Sequence, residues 1–206
     1  MIYHPPSYLW PAPWGEVFGN GHPVEVDIGC GDGGFLCQAA QAFPARNFLG
    51  IERLLGRVRK IERRCRRLGI GNVRVLRLES SYSVAYLLPP GSVEVFHLYC
   101  PDPFPKKKHA KRRLVNAPFV ESVVRALVPG GRFWVRTDHA GYFETICAEA
   151  GAHGGLERWT GENPYRELQT DFERQFRAEG KPIHCAGYVR KEEAGKKDLP
   201  IKTGFG

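Results

Sequence analysis

The 206-residue sequence lacks the marks of several protein classes. Its six cysteines (Cys30, Cys37, Cys65, Cys100, Cys147 and Cys185) form no CxxC pair, and with the seven histidines they show no metal-ligand spacing. Free thiols in a reducing compartment, and no metal, are the expectation. The start, Met1-Ile-Tyr-His-Pro-Pro6, has no basic stretch leading into an apolar run, so no signal peptide is read there. No segment approaches the roughly 18 consecutive apolar residues of a membrane-spanning helix. These absences predict a soluble, cytoplasmic protein without a membrane partner. Acidic residues are in the minority, 22 against 30 Lys and Arg, for a net charge of +8. An excess of that size favours an acidic partner, nucleic acid before an anionic membrane surface, but a basic solvated surface accounts for it equally well.

What is present is an alternation of short apolar runs and helical patterns. Residues 1–22, rich in Pro, Gly and aromatics, read as an irregular arm, residues 23–190 as one domain, and residues 191–206 as a polar tail. Strands are predicted at Val24–Ile28, Asn47–Ile51, Val73–Leu76, Val93–Tyr99, Gly131–Arg136 and Ile183–Val189. Helices are predicted at Phe35–Phe43, Arg53–Leu68, about Tyr82–Leu88, Ala117–Leu127 and Tyr142–Glu149. Leu54, Val58, Ile61, Cys65 and Leu68 recur at helical spacing and form one apolar face. Strands separated by helices pair in parallel through right-handed crossovers, which predicts a doubly wound, mostly parallel α/β sheet.

A glycine loop, Asp27-Ile-Gly29-Cys-Gly31-Asp-Gly33-Gly34, falls at the first strand-to-helix turn. Its spacing satisfies both GxGxG and GxGxxG, so spacing alone does not choose a ligand. Charge does. A dinucleotide rests its pyrophosphate on the following helix N-terminus, and Asp27 and Asp32 would repel it. A sulfonium- and ammonium-bearing ligand such as S-adenosylmethionine suits those acids. Glu52 ends the second strand, where a carboxylate can accept ribose hydroxyls, and Glu79 follows the third, where it could hold an adenine amino group. The plain alternative for each acid is a turn or helix cap.

After the fourth strand, Cys100-Pro-Asp102-Pro-Phe104-Pro105 cannot remain in a sheet, because its prolines remove donors. It reads as a stiff, acid-bearing loop at the mouth of the cleft. The run Lys106-Lys-Lys108-His109-Ala-Lys111-Arg112-Arg113 follows at once and reads as a phosphate-binding segment; the basic helix from Arg53 to Arg67 could widen that surface.

These separated motifs, joined by Arg136-Thr-Asp138, Thr170-Asp-Phe-Glu173 and Gly180-Lys-Pro-Ile183, resemble the bacterial tRNA (guanine-N7-)-methyltransferases of the TrmB type, over about Val24 to Arg190. The resemblance implies a class I, Rossmann-like methyltransferase that uses S-adenosylmethionine to form N7-methylguanosine at position 46, in the variable loop of tRNA. It implies that Asp27, Gly29, Gly31, Glu52, Glu79 and Asp102 bind the cofactor, with Asp102 also at the reaction centre. Lys106, Asp138, Thr170, Asp171, Phe172 and Glu173 would bind guanosine, and Lys108, His109, Lys111, Arg112 and Arg113 the RNA. The sequence departs from the family with Phe104 for the usual Trp, Glu79 for the commoner Asp, and a short N-terminal arm.

Guanine N7 has an in-plane lone pair and no proton to lose. Such a transfer needs alignment at about 3–3.5 Å and compensation of positive charge moving to the purine, a task assigned here to Asp102 and Asp138. Three other readings remain open: a class I methyltransferase for another nucleic-acid or protein amino acceptor, a nicotinamide oxidoreductase, and an RNA-binding module without chemistry. Oligomeric state is left at monomer or homodimer.

Overall fold

The computed structural model describes residues 1–11, 13–104 and 113–192. The strands are β1 (Ile2–Tyr3), β2 (Val24–Ile28), β3 (Asn47–Ile51), β4 (Val73–Leu76), β5 (Val93–Tyr99), β6 (Leu127–Thr137), β7 (Leu156–Arg158) and β8 (His184–Arg190). They form one sheet in the order β1-β4-β3-β2-β5-β6-β8-β7. All pairings from β1 to β6 are parallel, and β8 is antiparallel to both neighbours. Every residue of β2 and β3 is buried, as expected for strands covered on both faces; the alternation in Val24-Glu-Val-Asp-Ile28 therefore marks no solvent face, since Glu25 and Asp27 are buried as well.

The helices are α1 (Trp14–Phe18), α2 (Gly34–Ala42), α3 (Leu55–Leu68), α4 (Ser80–Tyr82), α5 (Ala117–Ala126), α6 (Ala140–Ala152) and α7 (Asp171–Ala178), with a π-helical turn at Ser83–Leu87 directly after α4. One apolar layer joins Phe35, Leu36, Val58, Ile61 and Cys65 of α2 and α3 to Phe48, Val73 and Val75 of the sheet. The opposite layer joins Phe119, Val120, Val123, Tyr142 and Ile146 of α5 and α6 to Val26, Ile28, Phe96 and Leu98. Helices on both faces of a mainly parallel sheet make the fold doubly wound.

Four predictions shift. The arm at residues 1–22 is not wholly irregular: β1 extends the sheet beside β4, and α1 is capped by Gly19. The fifth parallel strand begins at Leu127 rather than Gly131, with a register break where Val93 pairs with Leu127 and Val95 with Arg132. The stripe on α3 buries only Val58, Ile61 and Cys65. Its ends overhang the sheet, leaving Leu54 and Leu68 exposed. Finally, the segment between α6 and β8 holds β7 and α7, neither of which its apolar pattern announces.

The strand order reverses direction beside β2, since β3 lies on one side of it and β5 on the other. In open parallel sheets this is where a crevice opens above the carboxyl ends of the strands. The glycine loop leaves β2 at that place.

Candidate functional site

Five carboxylates follow from five neighbouring strands at the carboxyl edge. Asp27 lies within β2, Glu52 directly follows β3, Glu79 follows β4, Asp102 follows β5 and Asp138 follows β6. Because the strands are parallel, chain segments leaving them emerge on one side of the sheet. The sheet therefore assembles acids that lie far apart in sequence.

Asp27 is the most perturbed of them. It is buried, and its Oδ2 has no hydrogen-bond partner among the described residues. Burial first, and the Glu52 charge second, push its carboxyl up to about 8. At pH 7 the folded chain thus holds Asp27 neutral, whereas an unfolded chain would ionise it. The stability this protonation contributes is fully present below the ordinary value of 3.8, and it is lost as pH rises towards and through about 8. A buried acid with an unpartnered oxygen, two positions before a glycine-lined turn, fits a ligand that brings positive charge or hydrogen-bond donors.

Glu52 is buried; its Oε1 accepts the Leu54 amide at 2.8 Å, and Oε2 lies 3.7 Å from the Arg57 guanidinium. Glu79 takes the alternative open to it from sequence. Its side chain caps α4, accepting the amides of Ser81 at 3.0 Å and Tyr82 at 2.7 Å. A carboxylate has about four lone-pair positions, so capping leaves acceptor capacity on Glu79.

The glycine loop is tightly packed. Gly29, Gly31 and Gly33 all have positive φ, where a side chain costs about 1 kcal/mol or more. At Gly33 a Cβ would also lie 2.7 Å from Ile61 Cγ1, which fixes the start of α2 against α3. Gly31 faces Phe172 and Arg57: a Cβ there would lie 3.9 Å from the Phe172 ring, over which the Arg57 guanidinium sits at 5.3 Å. At Gly34 a Cβ would come within 2.5 Å of Asp171 Oδ2, so any side chain there would displace Asp171.

The loop after β5 is strained at two non-glycine residues. Cys100 has φ 51° and Phe104 φ 40°, a region that such residues occupy only when their surroundings enforce it. The Cys100 amide donates to the Arg136 carbonyl at 2.8 Å. The Phe104 amide donates to Asp102 Oδ1 at 3.0 Å, and Asp102 itself is exposed. Cys100 Sγ lies 3.8 Å from the Thr170 hydroxyl, and burial pushes its thiol up to about 12. Asp138 accepts no hydrogen bond from the described residues, and its charge is felt at Cys100. Thr170 and Asp138 thus both lie near Cys100, two positions before Asp102 in the same loop.

Four residues assigned to ligands by resemblance are engaged within the protein. Glu173 is fully buried, with Oε2 3.2 Å from Arg136 Nη1 and Oε1 2.9 Å from Arg177 Nη2. Thr170 caps α7 by accepting the Glu173 amide at 2.9 Å. The Thr-x-x-Glu motif is therefore a helix start whose acid is turned into the core. Arg113 donates to the Pro103 carbonyl at 2.8 Å and to Thr145 Oγ1 at 3.3 Å, and lies 4.9 Å over the Tyr142 ring. It anchors the loop rather than projecting from it. Asp171 pairs with Arg64 at 3.6 Å and with Arg174. Lys106, Lys108, His109, Lys111 and Arg112 lie outside the described residues.

The structure also reveals a buried polar network with no counterpart in the motifs. Glu25 Oε1 accepts from Tyr165 at 2.5 Å and Arg46 at 2.6 Å, and Oε2 lies 2.8 Å from His97 Nε2. Burial pushes Glu25 up, but its bonds to His97 first, then Tyr165 and Arg46, more than offset this and hold it below its usual value. Burial lowers His97. An ionised Glu25 beside a neutral imidazole puts the proton on Nε2, leaving Nδ1 to accept from Tyr99 Oη at 3.0 Å. Arg136 lies 4.5 Å over the Tyr99 ring and donates to the carbonyls of Tyr165 at 2.5 Å and Leu168 at 2.7 Å. Charged residues inside strands, Glu25 in Val24-Glu-Val26 and Arg136 in Phe133-Trp-Val-Arg136, are the signals in the sequence that point to this network.

Among the described residues no cluster could hold a metal ion, and no helix is long and apolar enough to cross a membrane. Residues 21–186 match a family model described as a putative methyltransferase. The chain is 36% identical to the tRNA (guanine-N(7)-)-methyltransferase of Geobacter metallireducens, with 94% of each chain covered. It is 35% identical to that of Syntrophotalea carbinolica, over 97% of this chain and 89% of that one. The 16S rRNA methyltransferase KamB superposes with a TM-score of 0.64 at 15% identity, over 87% of this chain and 93% of that structure, a likeness of fold alone. The chain belongs to the tRNA (guanine-N(7)-)-methyltransferase family and has the class I methyltransferase fold.

Proposed function

We propose that this protein methylates guanine N7 of tRNA, at the variable-loop guanosine, position 46, using S-adenosylmethionine, and that it does so in the cytoplasm. The observation carrying this reading is the row of carboxylates at the strand ends, with the unpartnered Oδ2 of buried Asp27 at its centre. Bound there, S-adenosylmethionine supplies an electrophilic methyl group and a cationic body that those acids favour.

The roles of the chain's own residues follow from their places. Asp27, with Gly29 and Gly31, holds the cationic part of the cofactor, and Glu52 accepts its ribose hydroxyls. Glu79 flanks the far end of the cleft with the lone pairs that capping leaves unused. Asp102 and Asp138 hold the donor edge of guanine, each such pair being worth about 1–3 kcal/mol against a wrong base. Their negative charge offsets the positive charge that the purine gains, and no proton need be removed from N7. Thr170 and Phe172 wall the mouth, Glu173 and Arg113 position that wall, Lys106 contacts guanosine, and Lys108 to Arg112 carry RNA phosphates.

The test is methyl transfer from labelled S-adenosylmethionine to an unmodified tRNA transcript, followed by nucleoside digestion. Label in 7-methylguanosine alone is expected, and lost when the variable-loop guanosine is replaced. Label in another nucleoside, or in protein, would overturn the reading.

A further inference from the structure

Between Arg53 and Leu68 the chain carries eight Lys and Arg residues and a single acid, Glu62. The structure sorts these cations into two sets. Arg57 faces Asp32 and Glu52 at 3.7 Å, Lys60 pairs with Asp32 at 2.9 Å, Arg64 with Asp171 at 3.6 Å and Arg66 with Glu62 at 3.4 Å. Arg53, Arg59, Arg63 and Arg67 are exposed and have no acidic partner among the described residues, and of these Arg63 and Arg67 line a cleft. These two do not stand alone, because Lys60, Arg63, Arg64 and Arg67 together line an open cleft of about 510 Å³ with Asp171 of α7 and Asp32 of the glycine loop.

Positions i, i+3, i+4 and i+7 share one stripe of a helix, so this is a ladder of like charges about 10 Å long at 1.5 Å per residue. Such neighbours repel. Interaction with the negative C-terminal end of the helix accounts for Arg66 and Arg67, but not for Lys60 and Arg63 in its middle. Two carboxylates within the cleft leave it cationic. The cleft borders the site, since Asp32, which lines it, belongs to the loop that Phe172 and Arg57 close.

We infer that this flank of α3 is a second phosphate-binding surface, on which an RNA strand entering the site lays its backbone. Arg63 and Arg67 supply the unpaired cations, and Lys60 and Arg64, tied to Asp32 and Asp171, couple the surface to the cofactor loop and to α7. The inference rests on the tRNA reading above and narrows the basic helix noted in the sequence to one flank and two unpaired arginines.

The test compares wild type with R63Q/R67Q and with R59Q/R66Q, which removes the same charge from α3 away from the cleft. KM for a tRNA transcript is measured from 50 to 200 mM salt, with kcat, cofactor affinity and thermal unfolding measured alongside. Each lost phosphate contact lowers the slope of log KM against log salt by about 0.7–0.9. R63Q/R67Q is therefore expected to lower it by about 1.5, to raise KM several-fold at 50 mM salt, and to leave kcat at saturating tRNA and cofactor affinity unchanged. R63K/R67K should restore the slope. An unchanged slope in folded R63Q/R67Q, or an equal fall in R59Q/R66Q, would overturn the inference. A wild type that transfers no methyl to tRNA would instead overturn the reading on which it rests.

Discussion

Replacing Asp102 by asparagine is expected to lower the turnover number about a hundredfold or more, with cofactor affinity and fold largely retained. The substitution separates charge from geometry. Asparagine can still accept the Phe104 amide that Asp102 Oδ1 now accepts at 3.0 Å, so the strained turn with Phe104 at φ 40° persists. What disappears, on the proposed reading, is the negative charge beside the purine as it becomes cationic. Losing one preorganised electrostatic contact in an active site typically costs about 10²–10³ in rate. Asp102→Ala loses the turn as well, and should abolish turnover. Single-turnover methyl transfer with a parallel cofactor titration checks both variants. Wild-type turnover in either would remove Asp102 from the mechanism.

The second large effect is on stability. Arg136 and Glu173 are 2% and 0% exposed, and their charges are paired at 3.2 Å. Removing one member leaves the other charged and buried, which typically costs about 3–5 kcal/mol, a large part of the whole stability of a small domain. For a chain of this length that corresponds to a fall of roughly 10 °C in Tm. Arg136→Met should show it, and R136M/E173Q should recover part of it, since the two losses share one interaction. Activity should fall in all of these variants, because Arg136 also holds the Tyr165 and Leu168 carbonyls and so places Thr170 against Cys100. A Tm within about 2 °C of wild type for Arg136→Met, against that expected fall, would show that the pair does not organise this wall. Loss of activity in Glu173→Gln at an unchanged Tm would return Glu173 to direct contact with guanosine.

The contrast between these residues shows what the sequence discloses. The four strands β2 to β5 are legible to the residue, because each is a short segment dense in Val, Leu, Ile or Phe that stops at glycine, a charged residue or the proline loop. The acids at their ends are legible for the same reason. The acid that ends a run in a parallel sheet must emerge at the carboxyl edge, so the sequence alone places Asp27, Glu52 and Asp102. It places Glu79 as well, but a cap and a ligand contact call for the same residue type, and only geometry shows the Ser81 and Tyr82 amides on its oxygens.

The segment from Leu156 to Ala178 is hard to read because little of its placement comes from apolar periodicity. Gln38 holds the Gln169 carbonyl at 2.8 Å, Arg136 holds two more, and Tyr165 reaches Glu25 across 140 positions of sequence. Polar contacts at such separation leave no period to detect. The basic run illustrates a different limit: composition marks a cationic stretch but does not show that Arg113 turns inward to Pro103 and Tyr142. On α3 the same ambiguity separates Arg57 and Arg64, which are paired with acids, from Arg63 and Arg67, which have none among the described residues.

The central claim is that a ring of carboxylates makes this glycine-lined cleft a site for a cation rather than for a phosphate. Calorimetric titration of the unliganded protein with S-adenosylmethionine and, separately, with NAD tests it most directly. S-adenosylmethionine should bind, with affinity rising as pH approaches about 8 and with a proton released to the buffer, because the ligand's charge favours the ionised form of Asp27. NAD should give no heat. Binding of NAD in competition with S-adenosylmethionine, or no binding of S-adenosylmethionine at any pH, would contradict the account.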